Sequence, residues 1–348
     1  MIDSRARLAL EPLGFDDRLE KLFRPLLAKG LLIGRVARVD RGSSYLLTAG
    51  DAVRADTAPR LRRDPTGLAP PTVGDWVAFR VDEDGRTEIE HILERTSTFA
   101  RGDPAHPGAS QIMAANIDTV FLVHSLTRTL NLRRLEREFV LVYESRAMPV
   151  VVLNKADLVP EADAARARAA AETAALGRPV HVVSAITSLA LDELEPYTRG
   201  NRTIALVGAS GVGKSTLVNR LVGAAVQRIG AVRESDEKGR HTTVARELIV
   251  LPDGGSLIDT PGLRSLAMKE ADVGLAAAFA DIETLAASCR FRDCSHLQEP
   301  GCALRDAVEQ GTLPAGRLAG YFKLRDELAA DATQQLRNER ARGEGRRR

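Results

Sequence analysis

The segment GASGVGKST at residues 208–216 has the glycine, lysine and serine spacing of a phosphate-binding loop. It follows the apolar stretch TIALV and opens a helical pattern, so its backbone N–H groups can surround phosphate oxygens at the positive end of a helix. Lys214 is expected to reach the β- and γ-phosphates of a nucleotide, and the Ser215 hydroxyl is expected to bind Mg²⁺. The other residues predicted to line the phosphates are Gly208, Ala209, Ser210, Gly211, Val212, Gly213 and Thr216.

The tetrapeptide NKAD at residues 154–157 supplies a base specificity that a phosphate loop lacks. It ends the apolar pattern VVVLN, so its side chains are expected at the carboxyl edge of a sheet. The Asp157 carboxylate can accept hydrogen bonds from N1–H and the amino group of guanine, whereas adenine has no N1 proton. Asn154 is expected to tie this loop to the phosphate loop, the Lys155 stem to cover the base, and the Ala185 N–H to read guanine O6. The predicted guanine-binding residues are Asn154, Lys155, Ala156, Asp157, Ser184 and Ala185.

Two further segments are predicted to contact Mg²⁺ and the γ-phosphate. DTPG at residues 259–262 ends the strand pattern SLIDT, so Asp259 is expected to hold Mg²⁺ through water and the Gly262 N–H to meet the γ-phosphate. The polar segment EKGRHTTV lies between the phosphate loop and DTPG, as a switch segment should. Either Thr242 or Thr243 can supply a hydroxyl to Mg²⁺, and the sequence leaves the choice open.

The group that positions the attacking water is less clearly marked. Many GTPases have a glutamine directly after the glycine of DxxG, but this chain has Leu263 there, which predicts slow intrinsic hydrolysis. His241, beside the switch threonines, is the candidate for this role. The predicted catalytic residues are Lys214, His241, Thr242, Thr243, Asp259 and Gly262.

All three cysteines of the chain lie in one short C-terminal stretch. Cys289, Cys294 and Cys302, with His296, offer thiolates and an imidazole at a spacing that suits tetrahedral Zn²⁺. A full set of protein ligands leaves no open position, which is typical of a structural zinc ion. The sequence therefore predicts one structural Zn²⁺ per chain.

Four successive sequence patterns must position these residues. Residues 1–30 contain an amphipathic helical stretch, and residues 31–100 contain short strand patterns between turns, which predict a small β-barrel. Residues 101–270 alternate strand and helix, as a mostly parallel α/β sheet does. Residues 271–348 are predicted to be helical and to carry the zinc cluster and a basic tail.

Composition and charge exclude some partners and leave one open. No apolar run approaches the length that crosses a bilayer, and the N-terminus lacks a signal-peptide pattern, so the sequence predicts a cytoplasmic protein with no membrane partner. The net charge of +2 does not by itself favour nucleic acid. Six arginines and two glutamates lie between Arg337 and Arg348, and such a tail either binds phosphate backbones or stays solvated.

The order of the motifs differs from that of ordinary small GTPases, in which the phosphate loop comes first. Here NKAD precedes the phosphate loop, as a circular permutation would produce without moving the site. One consequence is that DTPG runs directly into the C-terminal segment. Loss of the γ-phosphate can therefore be transmitted over a short tether to the zinc-binding region.

The permuted order, the GRHTT switch, the VGDWV and AANIDTVFLV segments and the cysteine–histidine spacing resemble the RsgA (YjeQ/YloQ) family of circularly permuted GTPases. The resemblance covers residues 31–310 and implies a multidomain α/β protein with an N-terminal OB-type barrel, a central P-loop GTPase domain and a C-terminal helical zinc-binding domain. It also implies a monomeric factor of late small ribosomal subunit assembly. Such a factor binds the subunit and its 16S-type rRNA, hydrolyses GTP to GDP with subunit-stimulated turnover, and is then released.

Residues 1–30 depart from this family, whose members often begin with a strongly basic extension, so their role is left open. Aromatic residues are only 4% of the chain, and Trp76 suits a core position as well as a surface one. We therefore expect recognition of RNA backbone and shape more than base stacking. Two alternatives stay open: a GTP-dependent switch that binds a protein or membrane target through the zinc domain, and an ATP-using P-loop enzyme in which NKAD is accidental.

Overall fold

The computed structural model describes residues 2–40, 42–62, 70–102, 110–223, 246–259 and 272–345. The strands in these ranges are β1 Leu32–Val39, β2 Ser43–Leu47, β3 Val53–Thr57, β4 Trp76–Val81, β5 Thr87–Ile92, β6 Thr98–Gly102, β7 Ser110–Ala115, β8 Thr119–Ser125, β9 Met148–Asn154, β10 Val180–Val182, β11 Gly200–Val207, β12 Glu247–Val250 and β13 Gly254–Asp259. The α-helices are α1 Ser4–Leu10, α2 Asp17–Leu27, α3 Pro59–Arg62, α4 Leu132–Glu144, α5 Glu161–Ala175, α6 Glu195–Thr198, α7 Lys214–Val222, α8 Asp272–Ala278, α9 Ala280–Ala286, α10 Ala303–Glu309 and α11 Ala315–Gly345, and short 3₁₀ helices span Glu11–Leu13, Ala156–Leu158 and Leu191–Leu194.

The first five strands close into the barrel that the sequence predicts. Their order is β1-β2-β3-β5-β4, and β4 pairs back onto β1, so the sheet has no free edge within this unit. Strands β3 and β5 run parallel, while their other neighbours are antiparallel. Alternate residues point inward and form a small apolar core: Val36, Leu46, Ala55, Val77, Phe79 and Ile89.

A second group of strands forms the α/β sheet, in the order β10-β9-β8-β11-β13-β12. All its neighbours are parallel except β12, which is antiparallel to β13. Strands β8 and β9 are almost wholly buried because apolar side chains cover both of their faces. Since the strands are parallel, the carboxyl ends of β8, β9, β11 and β13 meet at one edge, where the predicted nucleotide-binding motifs follow three of them.

The barrel, the N-terminal segment and the α/β sheet meet at one buried arginine. Arg35 on β1 donates to the backbone carbonyls of Leu13 and Asn116 (3.1 Å for the latter) and to Thr203 Oγ1 on β11 (2.8 Å). Desolvation lowers the pKa of Arg35 to about 10. Strand β1 also pairs antiparallel with β12, so the barrel and the α/β sheet share one continuous hydrogen-bonded sheet.

Residues 2–30 pack against this junction rather than extending from it. Leu10, Phe15, Leu19 and Phe23 are buried in the main apolar core. Phe15 meets Trp76 edge to face, with ring centroids 5.6 Å apart, which places Trp76 in the core and not on a binding surface. Asp16 caps the N-terminus of α2 by accepting from the Leu19 N–H (2.8 Å). This segment therefore has a structural role in the junction.

A short antiparallel pair, β6 and β7, connects the barrel to the α/β sheet. The sequence suggests a turn-rich linker over residues 100–110 and a domain boundary between residues 100 and 101. In the structure β6 continues to Gly102, and β7 begins at Ser110. The turn signals therefore mark the connection between paired strands, and the predicted boundary falls inside β6.

The C-terminal helices pack against α4 of the α/β unit. Arg317 on α11 is 7% exposed and forms ion pairs with Asp281 on α9 (2.6 Å) and Glu136 on α4 (3.1 Å). Its guanidinium also lies 4.7 Å from the ring centroid of Phe279. Helix α11 continues to Gly345, so the backbone of most of the predicted basic tail is helical. Among the described residues, no helix is both long enough and apolar enough to cross a membrane.

Candidate functional site

The glycine-rich loop turns tightly between β11 and α7. Gly211 and Gly213 have φ values of 80° and 96°, a left-handed conformation that side chains disfavour. A Cβ on Gly213 would lie 2.3 Å from Asn154 Nδ2, and a Cβ on Gly208 would lie 2.3 Å from the Val123 carbonyl oxygen. Close packing therefore requires glycine at positions 208 and 213, and the backbone conformation favours glycine at positions 211 and 213.

Lys214 and the hydroxyl residues that follow it begin helix α7. The Lys214 ammonium lies within the loop and donates to the carbonyls of Gly208 (2.9 Å) and Ala209 (2.6 Å). Ser215 and Thr216 are exposed in the first helical turn. The positive end of the helix and the Lys214 ammonium thus meet at this loop, and the exposed Ser215 follows directly, an arrangement that suits a polyphosphate.

Asn154 connects three loops at the sheet edge. This side chain is 2% exposed; its Nδ2 donates to the Val212 carbonyl in the phosphate loop (3.0 Å), and its Oδ1 accepts from the Ala185 N–H (3.1 Å). The predicted tie between NKAD and the phosphate loop is therefore a direct hydrogen bond. The Ala185 N–H, expected to read guanine O6, already has Asn154 as its acceptor and would have to be shared with the base.

The remaining NKAD side chains lie at the surface of this loop. Lys155 has a left-handed backbone (φ 68°) and its Nζ donates to the Gly211 carbonyl (2.7 Å), so its stem crosses from NKAD to the phosphate loop. Asp157 is exposed, and its Oδ1 accepts from the buried Ser184 hydroxyl (2.5 Å). Ser184 therefore orients the carboxylate that is predicted to bind guanine, while Ala156 donates its N–H to the Val183 carbonyl (3.1 Å).

Arg220 is a site residue that the sequence reasoning missed. From α7, its Nε donates to the Ala185 carbonyl (2.9 Å) and its Nη2 to the Ile186 carbonyl (2.7 Å). The helix that follows the phosphate loop therefore also holds the loop predicted to contact the guanine. The sequence does show that Arg220 lies in the second turn of the helix after the phosphate loop. Nothing in the local sequence indicates which loop its side chain reaches.

The predicted Mg²⁺ ligands are described only in part. Asp259 is exposed at the end of β13. Strand β13 is the neighbour of β11, which leads into the phosphate loop and Ser215 at the same sheet edge. A carboxylate and a hydroxyl are the oxygen donors that Mg²⁺ prefers, so these two residues fit the ion. His241, Thr242, Thr243 and Gly262 lie outside the described residues.

The three cysteines and His296 converge into one cluster. One ligand atom from each of Cys289, Cys294, His296 and Cys302 lies within 4.8 Å of the others, and Cys302 is buried. His296 Nδ1 is 3.4 Å from Cys289 Sγ. Desolvation raises the pKa of the Cys294 thiol to about 11, and its hydrogen bonds with Cys302 and Cys289 act in the same direction. Because a cation is what stabilises adjacent thiolates, this donor set fits one metal ion.

Comparisons with known proteins agree on one family. A family model described as RsgA GTPase matches residues 92–269. A protein from Streptomyces avermitilis named small ribosomal subunit biogenesis GTPase RsgA is 46% identical over 316 residues, covering 90% of this chain and 84% of the relative. A protein of the same name from Syntrophotalea carbinolica is 42% identical over 333 residues, covering 93% of this chain and 91% of the relative.

Solved structures show the same architecture. The crystal structure of YjeQ from Thermotoga maritima matches with a TM-score of 0.65 and 26% identity, covering 86% of this chain and 99% of that one. The crystal structure of YloQ, described as a circularly permuted GTPase, matches with a TM-score of 0.63 and 26% identity, covering 86% and 96%. Most of the fold is therefore shared with solved proteins, one of which is described as a circularly permuted GTPase.

Proposed function

This chain belongs to the RsgA GTPase family, and we propose that it acts as a late assembly factor of the small ribosomal subunit, binding and leaving the subunit according to its nucleotide state. The strongest structural support for this proposal is the nucleotide-binding site, in which NKAD precedes the phosphate loop in the chain. Asn154, from a loop earlier in the chain, joins the phosphate loop and the Ala185 loop through two hydrogen bonds. A guanine-reading loop and a phosphate loop are thus held in one rigid site.

The residues of this site divide the binding of GTP among them. Asp157, oriented by Ser184, accepts from the guanine N1–H and amino group, while the Lys155 stem covers the base. Lys214 moves from the loop carbonyls to the β- and γ-phosphates, and the N–H groups of residues 208–216 surround the β-phosphate. Ser215, Asp259 through water, and Thr242 or Thr243 would hold Mg²⁺, and the ion would supply positive charge to the phosphates of the nucleotide.

Hydrolysis needs a water aligned with the γ-phosphate. We assign that positioning to His241, because Leu263 cannot orient water and His241 directly precedes the switch threonines in the sequence. The Gly262 N–H would contact the γ-phosphate and report its loss. His241→Ala should therefore reduce subunit-stimulated turnover while leaving GTP binding unchanged, and normal stimulated turnover in this variant would exclude the assignment.

The cluster at the C-terminus is proposed to hold one structural Zn²⁺. Cys289, Cys294, His296 and Cys302 would supply all its ligands, leaving no position for a substrate. Zinc is favoured over other metals because thiolates with one imidazole suit its tetrahedral coordination. The ion would fix the exposed loops between the ligands, which contribute few buried apolar side chains of their own.

The proposed partner is the small ribosomal subunit with its 16S-type rRNA, and the protein is proposed to act as a cytoplasmic monomer. Relatives with 42–46% identity carry the name small ribosomal subunit biogenesis GTPase. The arginines of residues 337–348 can contribute contacts to RNA phosphates. Because β13 leads through DTPG to α8, and α8 packs on α4, loss of the γ-phosphate can alter the position of the C-terminal helices.

A turnover assay with purified small subunits tests this function. We expect small subunits to raise GTP hydrolysis by about tenfold or more, large subunits to have no such effect, and increasing salt to weaken subunit binding steeply. Absence of stimulation, together with tight binding to another protein, would favour a GTP-dependent switch of a different pathway.

Base specificity is tested separately with Asp157→Asn. An asparagine amide can donate to the O2 of xanthine but cannot accept two hydrogen bonds from guanine, so preference should change from GTP toward XTP. Wild-type protein that hydrolyses ATP as well as GTP, or a variant with unchanged base preference, would favour the ATP-using alternative.

A further inference from the structure

Among the Phe, Tyr and Trp residues, Phe291 alone is exposed. The chain has nine Phe, four Tyr and one Trp, and the structure describes each of them. Phe291, in the loop between Cys289 and Cys294, is 42% exposed, whereas the other aromatic residues are buried or half-buried. On the barrel, Trp76 and Phe79 lie in the core, and the Arg38 guanidinium lies 4.4 Å from the ring centroid of Tyr45. The barrel therefore offers no exposed ring for base stacking.

The Phe291 ring lies beside the guanidinium of the exposed Arg290, and a second exposed arginine is its neighbour in the chain. The Arg290 guanidinium lies 5.5 Å from the ring centroid, and Arg292 follows directly in the chain. The Arg290 stem rests on Gly301, where a Cβ would come within 3.1 Å of the Arg290 Cβ. The Arg290 N–H also donates to the Gly301 carbonyl (3.1 Å). The backbone that carries the ring and the cation is therefore tied to the segment that precedes Cys302.

The second half of the loop is held by one carboxylate. Glu299 accepts from the N–H groups of Ser295 (3.0 Å), Leu297 (3.2 Å) and Gln298 (3.2 Å), and also from the Ser295 hydroxyl. These donors direct the negative charge of Glu299 toward the loop backbone. The exposed side chains next to Phe291 in the chain are thus two guanidinium groups and one carboxylate, that of Asp293, so the cations outnumber the anion.

We propose that Phe291, with Arg290 and Arg292, is a stacking platform for an unpaired base of RNA. Bases in single-stranded loops stack on aromatic rings and guanidinium planes, and every base has a π-face, so this recognition tolerates sequence. The arginines add phosphate contacts and a cation–π interaction that a purely apolar partner would not use. The proposal rests on the proposed function, and it supplies the aromatic contact that the barrel lacks.

Variants at position 291 test the platform with purified small subunits and a non-hydrolysable GTP analogue. Phe291→Leu keeps the apolar volume but loses the π-face, so binding should weaken by about 5- to 150-fold. Phe291→Trp should bind as well as wild type. Leu297→Ala is the matched control, because Leu297 is 65% exposed in the same loop and should be dispensable. Metal content and thermal melting of each variant should equal those of wild type.

A second measurement does not depend on ribosomes. In Phe291→Trp the new indole is exposed, whereas Trp76 is 2% exposed and contributes a constant background. The fluorescence of this indole should be quenched by a single-stranded oligoadenylate RNA and much less by a duplex RNA of equal length. Ultraviolet irradiation should also crosslink wild-type protein to the single-stranded RNA through the peptide that contains Phe291.

The outcomes separate this proposal from the proposed function. If wild type fails to bind subunits yet single-stranded RNA quenches the fluorescence of the Phe291→Trp variant, the platform stands and the ribosomal role fails. If subunits bind but Phe291→Leu binds equally well, the platform is wrong. Weaker binding by Phe291→Leu without quenching or crosslinking by RNA would assign the ring to a protein partner and would also overturn the proposal.

Discussion

The nucleotide-binding edge and the cysteine–histidine cluster are both made of short loops, but different forces fix them. At the sheet edge, the loops leave buried strands, and Asn154, Ser184 and Ala185 are themselves buried beneath them. In the cluster, Cys302 is buried, while most residues between Cys289 and Cys302 are half-buried or exposed. One region is positioned by a packed core and a hydrogen-bond network, whereas the other brings together four side chains that could hold a metal ion.

This difference predicts which region stays ordered without a ligand. The core beneath the nucleotide edge remains when GTP leaves, so NKAD and the phosphate loop keep their relative positions through Asn154. The cysteines touch the edge of the main core, but the residues between them are half-buried or exposed, so the order of this loop should depend on a bound ion. A GTPase domain that stays folded in both nucleotide states, joined to a metal-fixed surface, suits a protein that changes its affinity for a partner without unfolding.

Removing the metal is expected to have the largest effect. Chelation should unfold residues 289–302 locally, because adjacent thiols lose the cation that stabilises them, and amide hydrogen exchange there should rise by at least about 10²-fold. Exchange in β8, β9 and β11 should not change, nor should GTP affinity. Equal loss of protection in these strands would show that both regions share one stabilising core, contrary to the difference described above.

The same contrast explains how much of the site could be read from the sequence. NKAD, GASGVGKST and the cysteine spacing are local patterns, and their chemistry follows from adjacent residues. The contacts that hold them are not local. Arg220 reaches Ala185 across 35 positions, Arg35 reaches Thr203 across 168, and Arg317 reaches Glu136 across 181. No periodicity or motif identifies such partners, because they depend on how complete elements pack.

The fold was predictable to a similar extent. Alternating strand and helix patterns predicted the parallel sheet, and several short strand patterns predicted the barrel, because hydrophobic periodicity reports burial. The pairing of β6 with β7 was missed because Pro and Gly signals between them suggested a linker. The amphipathic pattern in residues 1–30 indicates a docking helix, but the surface it packs against could not be predicted, because such a pattern does not specify what covers it.

The second prediction concerns the joint between the two regions. Arg317→Ala removes a buried guanidinium and leaves Glu136 and Asp281 without their partner, so unfolding free energy should fall by about 3–5 kcal/mol at pH 7. Arg325→Ala is the control on the same helix, since its ion pair with Asp326 is exposed and should contribute less than about 1 kcal/mol. Denaturant unfolding monitored by circular dichroism measures both.

The effect of Arg317→Ala should depend on pH. Burial raises the pKa of Asp281, but the hydrogen bond and charge of Arg317 outweigh it and leave this pKa below its ordinary value. The stability that Asp281 contributes is therefore present above its unfolded pKa and is lost as pH falls through its folded pKa. Without Arg317, both buried carboxyls protonate more readily, so the difference between wild type and variant should shrink from pH 7 toward pH 4. A constant difference would contradict this.

The third prediction returns to the nucleotide edge. Asn154→Ala leaves the Val212 carbonyl and the Ala185 N–H without their buried partner, so the guanine and phosphate loops lose their connection. Guanine nucleotide affinity should fall by about 10²-fold, with little change in metal content. Isothermal titration with GDP measures the affinity. An unchanged affinity would mean that the sheet core alone holds both loops, without help from the Asn154 hydrogen bonds.

The smallest expected effect is that of Arg220→Ala. Two hydrogen bonds from an exposed side chain to the Ala185 and Ile186 carbonyls should each contribute little, so GDP affinity should weaken by about 3- to 10-fold. Because the loop and not the phosphate site is loosened, the loss should appear as faster GDP release, measured with a fluorescent nucleotide. Arg220→Lys cannot reach both carbonyls with a fixed fork and should restore only part of the affinity. Full restoration by lysine would reduce the role of Arg220 to its charge, leaving Asn154 as the side chain that defines this edge of the sheet.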